Sequence, residues 1–300
     1  MKTIVITGAT SGIGLETTRI LARQGFNILG VGRSKENCVK AEKDILSTDP
    51  NARLTFIEGD LMQQREVFRV AREITAYLNN SCHGELHRGE LHRGELHALI
   101  NNAGCVRSWY MTTEEGYEQQ LALNHLAGFL LTHELLPMLK KANGRVIMTG
   151  SESHKGIKVH WDDVMLRRGY NPLTAYKQSK LCNILFAKGL NDRYAASGVH
   201  AYVVDPGLVK TDIGNKQTGG LVNFIWALRK RRGVSPTIPA KTIAFLCGQP
   251  DALPQSPQGL YYYLCKEKAY SKQVTSENAN RLFALSEQLC GVRYETEIIK

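Results

Sequence analysis

Short apolar strands alternate with longer helices from one end of this chain to the other, and that alternation restricts the fold more than any other feature. Lys2–Thr7, Asn27–Val31, Leu54–Glu58, Ala98–Asn101, Arg145–Thr149, His200–Val204 and Leu260–Leu264 read as strands. Gly12–Gln24, Lys35–Ser47, Gln63–Leu78, Tyr117–Lys141, Leu173–Ala196, Pro236–Cys247 and Ser276–Leu289 read as helices. Strands this short and this rich in Val and Ile imply a parallel sheet with helices on both faces. A length of 300 residues suits one such α/β sheet with insertions, so a single domain over 1–300 is expected. The longest irregular stretches, Glu152–Asn171 and Leu208–Ser235, follow strand ends on the side where such sheets bind ligands. They are expected to wall a pocket.

Composition narrows the class. A hydrophobic share of 43% with 22% charged residues is that of a soluble globular protein. Seven cysteines, widely spaced and without a CxxC pair, argue for reduced thiols rather than a disulfide framework or zinc. The chain opens directly into a strand, and no apolar run reaches membrane-spanning length, so a cytoplasmic protein is expected. There the sequon Asn79-Asn80-Ser81 has no meaning. The net charge of +10 suits a phosphorylated cofactor or an anionic lipid surface. Nucleic acid is not the expected partner: no such motif is present, and the basic residues are spread along helix faces. A tandem repeat, GELHR-GELHR-GELHA, runs from Gly84 to Ala98. Five residues advance about 140° beyond a full helical turn, so His87, His92 and His97 share no helix face. The repeat, in a loop over 82–97, reads as duplicated surface, and no metal is expected.

Phosphate chemistry is written at the first strand. Thr7-Gly8-Ala9-Thr10-Ser11-Gly12-Ile13-Gly14 follows a strand and opens a helix. Gly8 permits a tight turn, Gly12 lets the backbone approach a pyrophosphate, and Gly14 lets the helix pack close to the strand. Unsatisfied N–H groups at the helix start, including those near Ser11 and Ile13, favour an anion. The strand–turn–helix context makes this a dinucleotide site. The second strand ends Val31-Gly32-Arg33, with an arginine near where an NAD enzyme places a carboxylate. A guanidinium suits a 2′-phosphate, so NADP(H) is the expected cofactor. Asp60-Leu61 closes the third strand. Asp60 is placed to accept from an adenine amino group, to cap the next helix, or both.

Tyr176 and Lys180 in TAYKQSK stand one helical turn apart, so they share a helix face. A phenol beside an ammonium is a tuned acid, because the cation favours phenolate and lowers a pKa that is ordinarily about 10. Ser151 ends the fifth strand, where a reactive group is best fixed, and is preferred over its neighbour Ser153. Ser151 would supply a second donor to charge growing on a carbonyl oxygen. His154 and His160 read as pocket lining or surface rather than as bases.

In order along the chain, Thr7–Gly14, Asp60, Asn101-Asn102-Ala103-Gly104, Asn124, Ser151, Tyr176-x-x-x-Lys180 and Pro206-Gly207 resemble the short-chain dehydrogenase/reductase family. Leu123–Thr132 and Arg281–Val292 are similar to its retinol-dehydrogenase-like branch. The resemblance implies a doubly wound, Rossmann-like sheet of seven strands. It makes Tyr176 the catalytic acid–base, with Lys180 holding the nicotinamide ribose and lowering the tyrosine pKa. Ser151 would bond the substrate oxygen, and Asn124 would hold a water completing a proton relay. Asn102, Ala103 and Gly104 would line the cofactor, and Pro206, Gly207 and Val209 would meet its carboxamide, with Thr211 nearby. The family usually has a second serine where this chain has Gly150. The branch implies an apolar carbonyl compound or alcohol as substrate.

Leu221–Gly233 is the expected lid, within a span of about 208–235, with Leu221, Phe224, Ile225 and Trp226 covering an apolar substrate. Its aromatic and basic residues together also permit peripheral membrane contact. Residues 266–300 form a C-terminal extension. The long helices carrying Asn124 and Tyr176 often pair subunits in this family, so a homo-oligomer is one expectation. The alternative to an enzyme is a catalytically silent NADPH-binding regulator.

Overall fold

The sheet is built outward from its first strand. The computed structural model describes residues 2–80, 94–209, 233–248 and 259–295. In chain order the strands are β1 (Thr3–Thr7), β2 (Asn27–Gly32), β3 (Leu54–Glu58), β4 (Ala98–Asn101), β5 (Arg145–Thr149), β6 (His200–Val204), β7 (Tyr261–Tyr263) and β8 (Lys266–Glu267). They lie in the order β3-β2-β1-β4-β5-β6-β7-β8. All neighbours pair parallel except β7 and β8. The sheet therefore has eight strands rather than the expected seven. The extra strand is a two-residue return after β7, too short to leave a periodic signal. Its turn places Leu264 and Cys265 at positive φ.

Alternate residues of one strand feed two cores, as strand geometry requires. Ile4 and Ile6 of β1 join a cluster with Leu21, Ile28, Ile100, Ile147 and Ile243. That face is covered by α1 (Gly12–Arg23) and α7 (Thr237–Cys247). Val5 points the other way, into a cluster containing Ile74, Phe129, Leu185 and Phe283. There α3 (Gln64–Asn80), α5 (Ala127–Lys141) and α6 (Pro172–Tyr194) cover the sheet, and α8 (Ser276–Cys290) packs on α6. The second helix, α2 (Lys35–Thr48), lies against β2 and β3. Helices on both faces make the sheet doubly wound.

Two helices depart from the expected boundaries in ways that bear on the site. Tyr117–Lys141 is not one helix. It divides into α4 (Gln119–Leu121), a π turn (Ala122–Leu126) and α5. In the π turn the Ala127 N–H reaches back to the Ala122 carbonyl. Such wide turns gather at functional sites, and Asn124 lies inside this one. Helix α6 starts one residue earlier than expected, at Pro172. Asn171 caps it, accepting from the N–H groups of Leu173 and Thr174 at 3.0 Å each, and proline suits the first turn. Buried residues occur all round α6, because the sheet lies on one side and α8 on the other. Gly189 shows how closely α8 approaches: a Cβ there would come within 2.5 Å of the Phe283 ring.

Candidate active site

Strand order reverses between β1 and β4, and in open α/β sheets ligands bind at that crevice. The glycine-rich turn leaves β1 there, and Asn102-Ala103-Gly104 leaves β4 beside it. Gly8 and Gly12 adopt φ of +66° and +54°, which side chains seldom tolerate. Gly14 is needed for space: a Cβ would lie 2.1 Å from the Gly8 carbonyl oxygen. The three glycines leave a cradle of main chain at the start of α1, with Ser11 extended at its N-terminal boundary and Ile13 in its first turn. A diphosphate fits such a cradle.

The two turns are stitched together. Thr7 Oγ1 accepts from the N–H groups of Asn102 and Ala103, both at 3.0 Å. The Asn102 amide donates back to the Thr7 carbonyl at 3.1 Å, and Thr149 Oγ1 donates to Asn102 Oδ1 at 3.5 Å. Thr7 and Thr149 thus tie the ends of β1, β4 and β5 together. In sequence, Thr7 belongs to the glycine-rich motif without a role for its side chain, and Thr149, which only ends a strand, has none assigned.

Tyr176 and Lys180 are buried, at 9% and 3% exposure. The Lys180 ammonium lies 5.6 Å from the Tyr176 ring centroid and donates to the Thr149 carbonyl at 3.0 Å. Burial pushes its pKa down to about 8, opposed by the nearby Cys105 thiol. Gly104 is close by. A Cβ there would meet Asn124 Oδ1 at 3.0 Å and Lys180 Nζ at 3.9 Å. The structure thus gathers Gly104, Asn124, Tyr176 and Lys180 at the ends of β4 and β5.

Asn124 is fully engaged as a donor. Its amide protons go to the Cys105 carbonyl at 3.0 Å and to Ser179 Oγ at 2.9 Å. Its oxygen accepts from the Cys105 N–H at 2.7 Å. The side chain therefore clamps the loop after β4 onto α6. Ser179, between Tyr176 and Lys180, passes its own proton to the Tyr176 carbonyl at 2.8 Å.

Ser151 caps a short turn, Glu152–His154. Its Oγ accepts from the Ser153 N–H at 3.3 Å and the Ser153 hydroxyl at 2.9 Å. His154 is buried. Its Nδ1 bonds the Ser151 carbonyl at 2.7 Å, and its Nε2 accepts from the Ser271 N–H at 3.1 Å. It braces the serine turn. Gly150 precedes Ser151 because a Cβ there would strike Val203 at 2.6 Å and the Tyr261 ring at 3.1 Å.

At the β2 and β3 ends, Arg33 is exposed and shares a groove with Asp60 and Gln63. Its cationic neighbours are engaged: Arg65 with Glu114, and Arg69 with Glu66 and Glu73. Among the described residues Arg33 makes no ion pair. Asp60 Oδ1 accepts from the Met62 N–H at 3.2 Å, so it braces the turn into α3, and Leu61 is buried in the core.

After β6, Gly207 takes φ of +66°. Its N–H donates to Asp205 at 2.9 Å, and Lys268 pairs with Asp205 at 3.0 Å, which fixes the Pro206-Gly207 turn. Val209 bridges to Val234. Thr211 and the lid residues 221–232 lie outside the described residues. So do His87 and His92. His97 stacks on Phe26 and bonds the Cys247 carbonyl at 3.2 Å.

The chain matches the short chain dehydrogenase profile over residues 2–220. It is 35% identical to retinol dehydrogenase 13 of Homo sapiens over 303 residues, covering 97% of this chain and 85% of that one. It superposes on an uncharacterized protein from Mycobacterium Paratuberculosis with a TM-score of 0.71 at 27% identity, covering 98% and 95% of the two chains. A short-chain dehydrogenase from Sphingobium yanoikuyae, solved with NADPH, shares the fold with a TM-score of 0.64 at 19% identity, covering 100% and 99%. With the profile spanning most of its residues and relatives matching nearly its full length, this chain belongs to the short-chain dehydrogenase family.

Proposed function

We propose that this protein is an NADP(H)-dependent oxidoreductase that interconverts an apolar carbonyl compound and its alcohol. The observation that carries this reading is the buried Lys180 ammonium, hung from the end of β5 beside the Tyr176 ring and Gly104. Gly8, Gly12 and Gly14 would hold the diphosphate, Arg33 the 2′-phosphate, and Asn102–Gly104 with Pro206-Gly207 the nicotinamide half. A reduced nicotinamide bound there supplies the hydride.

The chain's own residues manage the proton. The ammonium lowers the phenol pKa of Tyr176 toward working pH, and an acid so tuned contributes roughly 10²–10⁴-fold. Ser151, whose oxygen already accepts from Ser153, gives its proton to the substrate oxygen. Asn124 fixes the loop after β4, and with both amide protons engaged it would hold a relay water only as an acceptor, through Oδ1 or its main-chain carbonyl. Arg33 supports NADP(H) because it is the groove cation with no ion pair among the described residues.

Exposed Trp109, Tyr110, Leu208 and Tyr270 follow β4, β6 and β8, and they favour an apolar substrate. The relatives named retinol dehydrogenase point to the same class. No helix among the described residues is long and apolar enough to cross a membrane. The test is NADPH oxidation against a panel of aldehydes and ketones, with Tyr176→Phe as control. Turnover lost in that variant supports the reading. NADPH binding without turnover of any carbonyl would favour a regulator instead.

A further inference from the structure

A line of buried polar groups runs from the C-terminal helix to the carbonyl that holds Lys180. That carbonyl, of Thr149, accepts twice: from Lys180 Nζ at 3.0 Å and from Asn183 Nδ2 at 3.1 Å. Asn183, His125 and Ser286 are exposed by 1%, 0% and 1%. Asn183 Oδ1 and His125 Nδ1 are both buried without a formed hydrogen bond, and Asn183 is the side chain that supports His125 protonation against burial. His125 Nε2 lies 2.9 Å from Ser286 Oγ.

The protonation pattern follows from the donor inventory. An amide oxygen only accepts, so the tautomer of His125 that suits Asn183 carries its proton on Nδ1. Nε2 then carries the lone pair and accepts from the Ser286 hydroxyl. The ring is neutral, because burial lowers its pKa to about 4. Donors then point one way, from Ser286 to His125 and from Asn183 to Thr149, with the unbonded pair His125 Nδ1 and Asn183 Oδ1 between them. Aligned hydrogen bonds in a buried site polarise one another.

We propose that Asn183 and His125 are positioning residues for Lys180, and that Ser286 brings the C-terminal helix into the same device. Lys180 then shares its acceptor, and the ammonium is held at the distance from Tyr176 that the acid requires. His125 sits in the π turn beside Asn124, so the chain also orients the turn that clamps the loop after β4. The proposal rests on Tyr176 and Lys180 acting as read above. Among the described residues, Tyr176 and Cys105 are the titratable groups acting on Lys180.

The experiment compares Asn183→Leu, His125→Phe, His125→Gln and Ser286→Ala in the full chain. Phenylalanine keeps the ring packing of His125 on Phe129 and Phe186 but breaks the chain. Glutamine restores an acceptor and a donor. Two quantities are read: the pH profile of NADPH-dependent reduction of para-nitrobenzaldehyde, and the Lys180 ammonium titration by NMR of isotope-labelled lysine. A misplaced ammonium stabilises phenolate less, so the pH above which the acid is lost moves up.

Asn183→Leu and His125→Phe are expected to lower kcat about tenfold and raise that limb by roughly half a pH unit or more, on the scale of one hydrogen bond. Asn183→Leu should raise the Lys180 midpoint, since Thr149 is no longer shared; His125→Phe, which leaves Asn183 on Thr149, should raise it less, and His125→Gln should restore both readings. Folded Asn183→Leu and His125→Phe with parental profiles, or His125→Gln as impaired as His125→Phe, overturn the proposal. Should the two larger changes prevent folding, Ser286→Ala decides: a shift in the same direction supports it, and identity with the parent refutes it. A parent without turnover defeats the functional reading alone, because the Lys180 titration still tests the chain of bonds.

Discussion

Lys180→Met should make the protein more stable and nearly inactive. The ammonium is buried at 3% exposure, and its pKa falls from 10.5 to about 8 through burial. At about 1.4 kcal/mol per tenfold change, this depression represents ~3 kcal/mol of disfavoured charge. Methionine fills similar space without a charge. The lost hydrogen bond costs about 1 kcal/mol, and Thr149 keeps Asn183 as a donor, so no carbonyl is orphaned. The net gain is ~2 kcal/mol, or about 3 °C in Tm for a chain of this size. The sign depends on pH. Below pH 8 the lysine is charged in both folded and unfolded chains, and the full penalty applies. Between pH 8 and 10.5 the unfolded chain binds more proton, so parental stability rises with pH and the advantage of methionine shrinks. Thermal unfolding without nucleotide at pH 7 and pH 10 reads this directly. Turnover should fall about 10²–10⁴-fold, the range for a lost acid–base element. A methionine variant less stable than the parent at pH 7, or a gain equal at both pH values, would refute the reasoning.

Two further changes test separate parts of the site. Arg33→Ala should weaken NADPH about 10–100-fold, the worth of a hydrogen bond to a charged group, while leaving NADH nearly unchanged; the ratio of KM values measures it. Gly150→Ser restores the residue usual at that position in the family, yet its Cβ would press on Val203 and Tyr261. A loss of about 1–3 kcal/mol in denaturant unfolding is expected from such overpacking, and unchanged stability would show that the strand end yields.

What could be read in the sequence was whatever side chains announce. Thr7–Gly14 is legible because its glycines answer steric demands: Gly8 takes the positive φ of a tight turn, and Gly14 leaves room for the helix to pack against the turn. Tyr176 and Lys180 are legible because helical spacing alone sets them on one face. The π turn was not, since Ala-Leu-Asn-His-Leu continues a helical apolar pattern and a single widened bond leaves no trace in residue type. Strand β8 was missed because two residues cannot alternate. Gly150 could be noticed as a departure from the family but not explained, because its causes, Val203 and the Tyr261 ring, lie one and two strands away in the sheet. The acceptor of the Lys180 ammonium was beyond reach for a different reason. It is a main-chain carbonyl, which every residue possesses, so only its position makes it special.

A main-chain acceptor also decides how Lys180 is held. No carboxylate neutralises Lys180 among the described residues, so its charge rests on a carbonyl dipole and an aromatic face. Such partners lower the cost of burial without cancelling the field, whereas a carboxylate would cancel much of it at the phenol. The pressure of burial that moves the Lys180 pKa toward about 8 is therefore the same feature that leaves its charge available to Tyr176. Rigidity must then come from elsewhere. Helix α6 supplies it, wedged between the sheet and α8, with Phe283 on Gly189 and Tyr294 bonded to the Phe129 carbonyl at 2.7 Å. The C-terminal segment thus fills from within the chain a face of α5 and α6, and pairing of two copies through that face would require its removal.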